Sequence, residues 1–171
     1  MATQGKIAIR CVRTLAGTPI IKAAVPEKAS QTFLKGALVY IEAATGFLIE
    51  CGADPASILG VATADGANNA VSGAVTQVVE LAHPDNLFRG YLDTSAAEGA
   101  GTSAQTDLFK GYGVFKSASG VANWFVDKTD TTAKRTVIWE FWGEPGYAVG
   151  DIRTHVIFSF MQANFQADIG T

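Results

Sequence analysis

Residues 34–63 read LKGALVYIEAATGFLIECGADPASILGVAT, and this stretch sets the fold class. Residues 38–42 are β-prone, Ala43, Ala44, Thr45 and Gly46 supply a turn in which Gly46 is free to take a positive φ, and residues 47–51 run back. Gly52, Ala53, Asp54 and Pro55 break the strand, and residues 58–63 start a third. The unit carries no catalytic or cofactor-binding pattern; it reads as scaffold.

The same strand-and-turn alternation extends in both directions. Residues 5–15 open with Ile7 and Ile9 alternating, as in a half-buried strand, until Gly17, Thr18 and Pro19 interrupt them. Residues 18–32 hold two prolines and no clear period, so they are expected to run extended over a surface. A polar, turn-rich loop at 65–74 precedes strands at 75–81 and 87–92, which His83, Pro84, Asp85 and Asn86 separate. Residues 93–107 are the best helix candidate, with Asp93 as N-cap and Gly99 and Gly101 stopping it within one or two turns at most; the alternative is that the stretch is wholly loop.

The last third is aromatic: 12 of the 17 aromatic residues lie between Phe109 and Phe165. Strands are expected at 111–115, 123–127, 135–142 and 151–160, with turns at 117–120 and 143–146. In 135–142 the alternation places Val137, Trp139 and Phe141 on one face. In 151–160, Ile152, Thr154, Val156, Phe158 and Phe160 alternate with Arg153, His155, Ile157 and Ser159. The tail, 162–171, is read as loose or packed on a partner. Some eight to ten short strands, spaced near the roughly 8–12 residues typical of sandwiches and barrels, define an all-β protein. The expected architecture is an antiparallel β-barrel or β-sandwich over residues 33–171, preceded by an extended basic N-terminal arm at 1–32, with at most one short helix.

Composition bounds the function. The 171 residues suffice to bury a core without staples. Charged residues are 17% of the chain against the usual quarter or so, and Ala, Gly, Ser and Thr make up about two-fifths, so much of the surface is neutral and open to contact. The charge is unevenly placed. Residues 1–36 hold six basic side chains (Lys6, Arg10, Arg13, Lys22, Lys28, Lys35) against Glu27 alone, whereas the remainder is acidic. Two readings of this split stay open: a basic arm that docks on an acidic partner or a neighbouring copy, and a first strand basic on its solvent face. The basic residues are spread out with no aromatics between them, on an acidic chain, which argues against nucleic acid. No apolar run approaches the ~18 residues of a membrane span, and the first residues lack an apolar signal core, so synthesis in the cytoplasm is expected. Cys11 and Cys51 have no metal-ligand spacing and read as ordinary small side chains.

The candidate chemistries are weak. A Ser or Cys nucleophile needs a histidine in reach; His83 precedes a proline in a turn, His155 lies mid-strand, and no Gly-x-Ser-x-Gly elbow exists. Glu140 between Trp139 and Trp142 resembles a sugar site, but an alternating strand makes it a solvent-facing residue beside aromatics. Asp127 and Asp130 lack the further ligands and the glycine of a calcium loop, and Gly99-Ala-Gly-Thr has no P-loop lysine. The expectation is therefore a non-enzyme with no catalytic residues, metal, cofactor or small-molecule substrate.

Three stretches carry a family likeness: FLKGALVYIEAATGFLIECG (33–52) with SILGVATADG (57–66); VVELAHPDNLFRGYL (78–92) with the glycine-rich 99–102; and NWFVDKTDTTAKRTVIWEFW (123–142) with GYAVGDIRTHVIFSF (146–160). In order and spacing the chain resembles the capsid decoration, or cement, proteins of tailed bacteriophages. The resemblance implies a β-rich homotrimer on the outside of an icosahedral capsid, clamping neighbouring copies of the major capsid protein against the pressure of packaged DNA. On that reading Lys6, Arg10, Arg13, Lys22 and Lys28 are candidates for contact with the shell or a sister subunit, and the loops 65–74 and 127–134 are shell-facing or exposed. Trp139, Phe141 and Trp142 cover both faces of one strand, so at least one face must meet something, and they are candidate interface aromatics. The alternatives are another virion β-module, such as a tail-tube, head–tail joining or fibre component, or a carbohydrate-binding module.

Overall fold

A computed structural model describes residues 2–15, 17–117, 124–142 and 148–166. Strands β1 (Arg10–Thr14) and β2 (Ile21–Pro26) lie in the N-terminal segment, and β3 (Leu38–Ile41), β4 (Leu48–Glu50) and β5 (Gly60–Ala62) form the 34–63 unit. β6 (Thr76–Leu81) and β7 (Asn86–Asp93) follow, and β8 (Gly111–Lys116), β9 (Trp124–Asp127), β10 (Thr136–Phe141) and β11 (His155–Phe160) complete the chain. Strand accounts for 41% of the residues and helix for 5%, so the protein is all-β. The 43–46 turn forms as its composition dictates: Gly46 has φ +73°, and its N–H and that of Thr45 both donate to the Glu42 carbonyl.

Two sheets are present. In the first, β7, β11, β10, β8 and β9 pair in that order and β9 returns to β7, closing a five-stranded barrel. The barrel pairs are antiparallel except the closure, where Leu92 and Asp93 of β7 run parallel to Val126 and Asp127 of β9. β1 pairs with the other half of β7, from Asn86 to Arg89. The second sheet, β2-β6-β5-β3-β4, is antiparallel throughout. Its β5 and β6 approach so closely that a Cβ at Gly60 would stand 2.1 Å from the Glu80 carbonyl oxygen. A single apolar cluster joins the sheets, with Phe88, Leu92, Trp124, Ile138, Phe158 and Phe160 from the barrel and Leu38, Leu48, Val61 and Val79 from the second sheet. Polar ties reinforce the junction: Glu50 of β4 accepts from Trp124 Nε1 at 3.1 Å and from Lys116 Nζ at 2.7 Å.

Three expectations change. First, Val137, Trp139 and Phe141 do not share one face of β10. Thr136 and Ile138 are buried, and the register against β11 then slips between Ile138 and Glu140. Trp139 is the extra residue of this bulge; it turns outward, and Phe141 rather than Glu140 packs against the core beyond it. Second, of the two readings of residues 93–107 the structure follows the loop rather than the helix, with only a 3₁₀ turn at Gln105–Asp107. Asp93 caps a loop instead of a helix. Its buried carboxylate accepts from the N–H groups of Thr94, Gly99 and Gly101 and from Arg153 Nε at 3.1 Å. Third, the tail folds back on its own chain as far as residue 166. After a 3₁₀ turn at Gln162–Asn164, Phe165 bridges to Ile58, and the Gln166 side chain bonds both backbone groups of Ile41.

The N-terminal segment is extended, but it is tied into the body. β1 edges the first sheet, β2 pairs with β6, and Thr3 bridges to Ile152. The expected turns at 117–120 and 143–146 lie largely or wholly outside the described residues, as do residues 167–171.

The Asp93 cluster fixes the loop that follows the barrel's closing strand. Replacing Asp93 with Ala leaves Arg153 and two glycine N–H groups without their acceptor, and is expected to lower the unfolding free energy by about 3–5 kcal/mol in urea titration. An unchanged midpoint would show that the loop does not depend on this carboxylate.

Candidate functional site

The five basic contact candidates divide by what they touch. Lys6 Nζ donates to Ser117 Oγ at 3.2 Å and lies 3.5 Å from Glu98. Arg13 pairs with Glu140 at 3.0 Å, and Lys28 with Glu42 at 2.7 Å. These three spend their charge within the chain. Arg10, on β1, and Lys22, on β2, are exposed. Lys22 stands at the rim of a groove of about 570 Å³ on the second sheet, whose walls are apolar: Val25, Pro26, Ile41, Leu59 and Leu81.

The three aromatic candidates separate as well. Phe141 faces the core. Trp142 lies under the guanidinium of Arg89, 4.8 Å from ring centroid to Cζ, a cation–π stack. Trp139 is 41% exposed, and its Nε1 donates to Ser159 Oγ at 2.9 Å, so the ring lies across β11 with its outer side bare. A residue missed by sequence reading completes the patch. Phe109 is 70% exposed and meets Trp139 edge to face, with centroids 6.1 Å apart. Its φ is +59°, the left-handed region that bulky side chains rarely adopt. Its N–H donates to the Ile138 carbonyl at 2.7 Å, which holds the backbone in place. Strain of order 1–3 kcal/mol thus maintains an aromatic ring in solvent. The available signal was a lone Phe between a 3₁₀ turn and Lys110-Gly111, which carries no period.

The groups weighed for chemistry have structural duties. Arg89 donates to His155 Nδ1 at 3.0 Å, so the proton of this imidazole sits on Nε2 and is given to the Gly5 carbonyl at 2.9 Å. His83 Nδ1 accepts from the Asp85 N–H. Glu140 is the Arg13 partner, and Asp130 Oδ1 accepts from Thr132 and Ala133 of its own loop. Among the described residues no three metal-ligating side chains converge.

The end of the barrel holds a buried ionic cluster. Asp107 accepts from the Tyr112 hydroxyl at 2.7 Å, Lys128 Nζ at 2.8 Å and the Ala104 N–H at 2.7 Å. Burial works to raise the Asp107 carboxyl, but these three donors outweigh it and hold the group below the usual carboxylate range. Burial, then the adjacent carboxylate, pushes the Tyr112 hydroxyl up. A depressed carboxylate stabilises the fold above its unfolded value of about 3.9 and loses that contribution as pH falls through the folded value. Stability is therefore expected to drop as pH is lowered from about 5 to about 2, and Asp107→Asn should flatten that acid limb in chemical denaturation series. An equally steep limb in the variant would remove Asp107 from the cause.

The cysteines are free thiols, Cys11 on β1 and Cys51 just after β4. Burial and Glu80 raise Cys11 to about 11, and burial raises the enclosed Cys51 further. Both are expected to react slowly with a disulfide reagent at neutral pH, Cys51 only on unfolding; rapid labelling of Cys51 in the native protein would contradict its placement. Compared with known proteins, the chain matches no family model, no curated protein and no solved structure.

Proposed function

We propose that this protein is a non-enzymatic structural component of a tailed-phage virion that binds the outer surface of the icosahedral capsid and stabilises it by clamping neighbouring subunits, acting as a homotrimer. The observation that carries this reading is the Phe109–Trp139 pair: two aromatic rings held outward, one on strained backbone, on a surface with few charges. Exposed aromatic anchors of this kind are what a protein interface desolvates. The apolar groove beside Lys22 offers a second contact on the other sheet. A shell with hundreds of equivalent sites makes modest affinity at each one sufficient.

The N-terminal segment supports shell binding through the edge it presents rather than as a detachable arm, because β1 and β2 complete sheets. Charge reversal is accordingly a cleaner probe of it than truncation.

The test is co-sedimentation of the purified protein with mature phage shells stripped of accessory proteins. Saturation at several hundred copies per shell is expected, with Phe109→Ser plus Trp139→Ser weakening binding by about 10-fold or more. Attachment of about a dozen copies per particle would assign the protein to a tail or vertex instead, and no attachment would sink the capsid reading.

A further inference from the structure

The second sheet curls without closing. Its edges meet at one end only, where Glu27 bridges to Leu48 in parallel and the Lys28 N–H donates to the Leu48 carbonyl at 3.0 Å. Beyond that point the β3–β4 hairpin has already turned at residues 43–46, while β2 continues back to Ile21 with β6 on one side only. β2 also bends here: its register against β6 shifts between Lys22 and Val25, and Ala24 has φ +54°. The opening between β2 and the hairpin is the groove of about 570 Å³. Val25 and Leu59 of its wall belong to the shared core, and Ile41 and Leu81 pack against that core. The groove is therefore a continuation of the interior that opens to solvent at the mouth of a curled sheet, a place where β-barrels commonly hold ligands.

The polar groups around it are engaged, with one exception. Gln166 lines the groove, but both ends of its amide are taken by Ile41: Oε1 accepts the N–H and Nε2 donates to the carbonyl, each at 2.6 Å. Glu42, next to the wall residue Ala43, accepts from Lys28 Nζ at 2.9 and 2.7 Å and from the Thr45 hydroxyl at 2.6 Å. Glu80, in register with Ile21, is turned to β1, where it accepts the Cys11 N–H at 2.7 Å. Lys22 is the exception. It is exposed at the rim, and its ammonium makes no hydrogen bond or ion pair among the described residues. One cation thus borders an apolar groove whose other lining side chains present no unengaged polar group.

We infer that this groove binds a single-chain carboxylate amphiphile, by class a medium-chain fatty acid, with its acyl chain along Val25, Ile41, Leu59 and Leu81 and its carboxylate on Lys22. A peptide strand is the poorer occupant. Strand addition needs main-chain partners, and those of Ile41 are bonded to Gln166 while β2 is bulged. An acyl chain needs no such partners along its length. A sugar or a nucleotide would press hydroxyls or phosphate oxygens against a wall with nothing to bond them. Occupancy of the groove is independent of what the Phe109–Trp139 ridge meets, so the site and the capsid role stand or fall separately.

The experiment titrates the full chain, labelled at its Ile, Leu and Val methyls, with decanoate, hexanoate, decan-1-ol and decyltrimethylammonium, each below its micelle concentration. Decanoate is expected to shift the Val25, Ile41, Leu59 and Leu81 methyl signals and to raise the melting temperature. It should bind about tenfold or more tightly than hexanoate and about fivefold more tightly than decanol. Lys22→Gln should remove the preference over decanol and leave decanol binding unchanged. Ala43→Trp, which sets a large ring at the exposed rim, should abolish binding of both, and Leu81→Gln serves if the ring disturbs the hairpin turn. Methyl shifts only elsewhere, equal affinity for decyltrimethylammonium and decanoate, or decanoate binding that survives both wall variants overturns the inference. So does a silent groove combined with weaker shell co-sedimentation of Ala43→Trp, which gives the groove to the shell, or with a smaller oligomer of that variant in ultracentrifugation, which gives it to a second copy. Decanoate binding that needs Lys22, together with shells that take up none of the protein, keeps the site and removes the capsid role.

Discussion

The fold depends on β7. This strand, Asn86–Asp93, has three hydrogen-bonded neighbours: β11 along one side, and β1 and β9 sharing the other. The parallel pairing with β9 closes the barrel, and closure leaves no free edge between β7 and β9 for another chain to extend. Its alternation divides the molecule. Phe88 and Leu92 enter the shared core, while Arg89 and Tyr91 point to the outer face, where Tyr91 stacks against Phe125 and Arg89 meets Arg10 and His155. Gly90 lies between, where a Cβ would stand 2.9 Å from the Phe158 ring. A shift of one residue in this register would exchange the core residues for the charged ones.

The outer face of the barrel is itself largely covered, which explains why β11 is buried along its whole length. Phe158 and Phe160 fill the interior, and the alternate residues are sheltered from outside: His155 by Gln4 and Gly5, Ser159 by Trp139. The N-terminal segment therefore contributes to stability as well as to charge. On this face the Phe109–Trp139 ridge stays open to solvent.

Much of the scaffold was legible because it is local. Hairpin 38–50 and the strands at 76–81, 86–93, 111–116 and 124–127 announce themselves through β-prone runs between turn residues. What escaped was set by distant partners. The bulge at Trp139 exists because β10 must match β11, and no periodicity in 135–142 records it. Asp93 looked like a helix cap because Asp is a good one; the Arg153 guanidinium, sixty positions away, claims it instead. Of the site residues, composition identified the basic segment and the aromatic strand, but could not separate Lys6, Arg13 and Lys28, paired within the chain, from Arg10 and Lys22. Phe109 is held outward by a backbone conformation that a single sequence does not encode.

The bridge between Thr3 and Ile152, with the His155 backbone held by the Gln4 side chain, joins segments 151 positions apart. A ribosome delivers about 5–20 residues each second, so the first residues wait several seconds for the strand they cover. Until then β7 lacks its β11 neighbour and the barrel has no final wall. Folding of the first sheet therefore waits for β11, and topologies closed by such long-range pairs assemble on the millisecond-to-second scale rather than in microseconds. The second sheet, apart from its β2 edge, is built from β3 to β6 alone and is able to form while the rest of the chain is still being made.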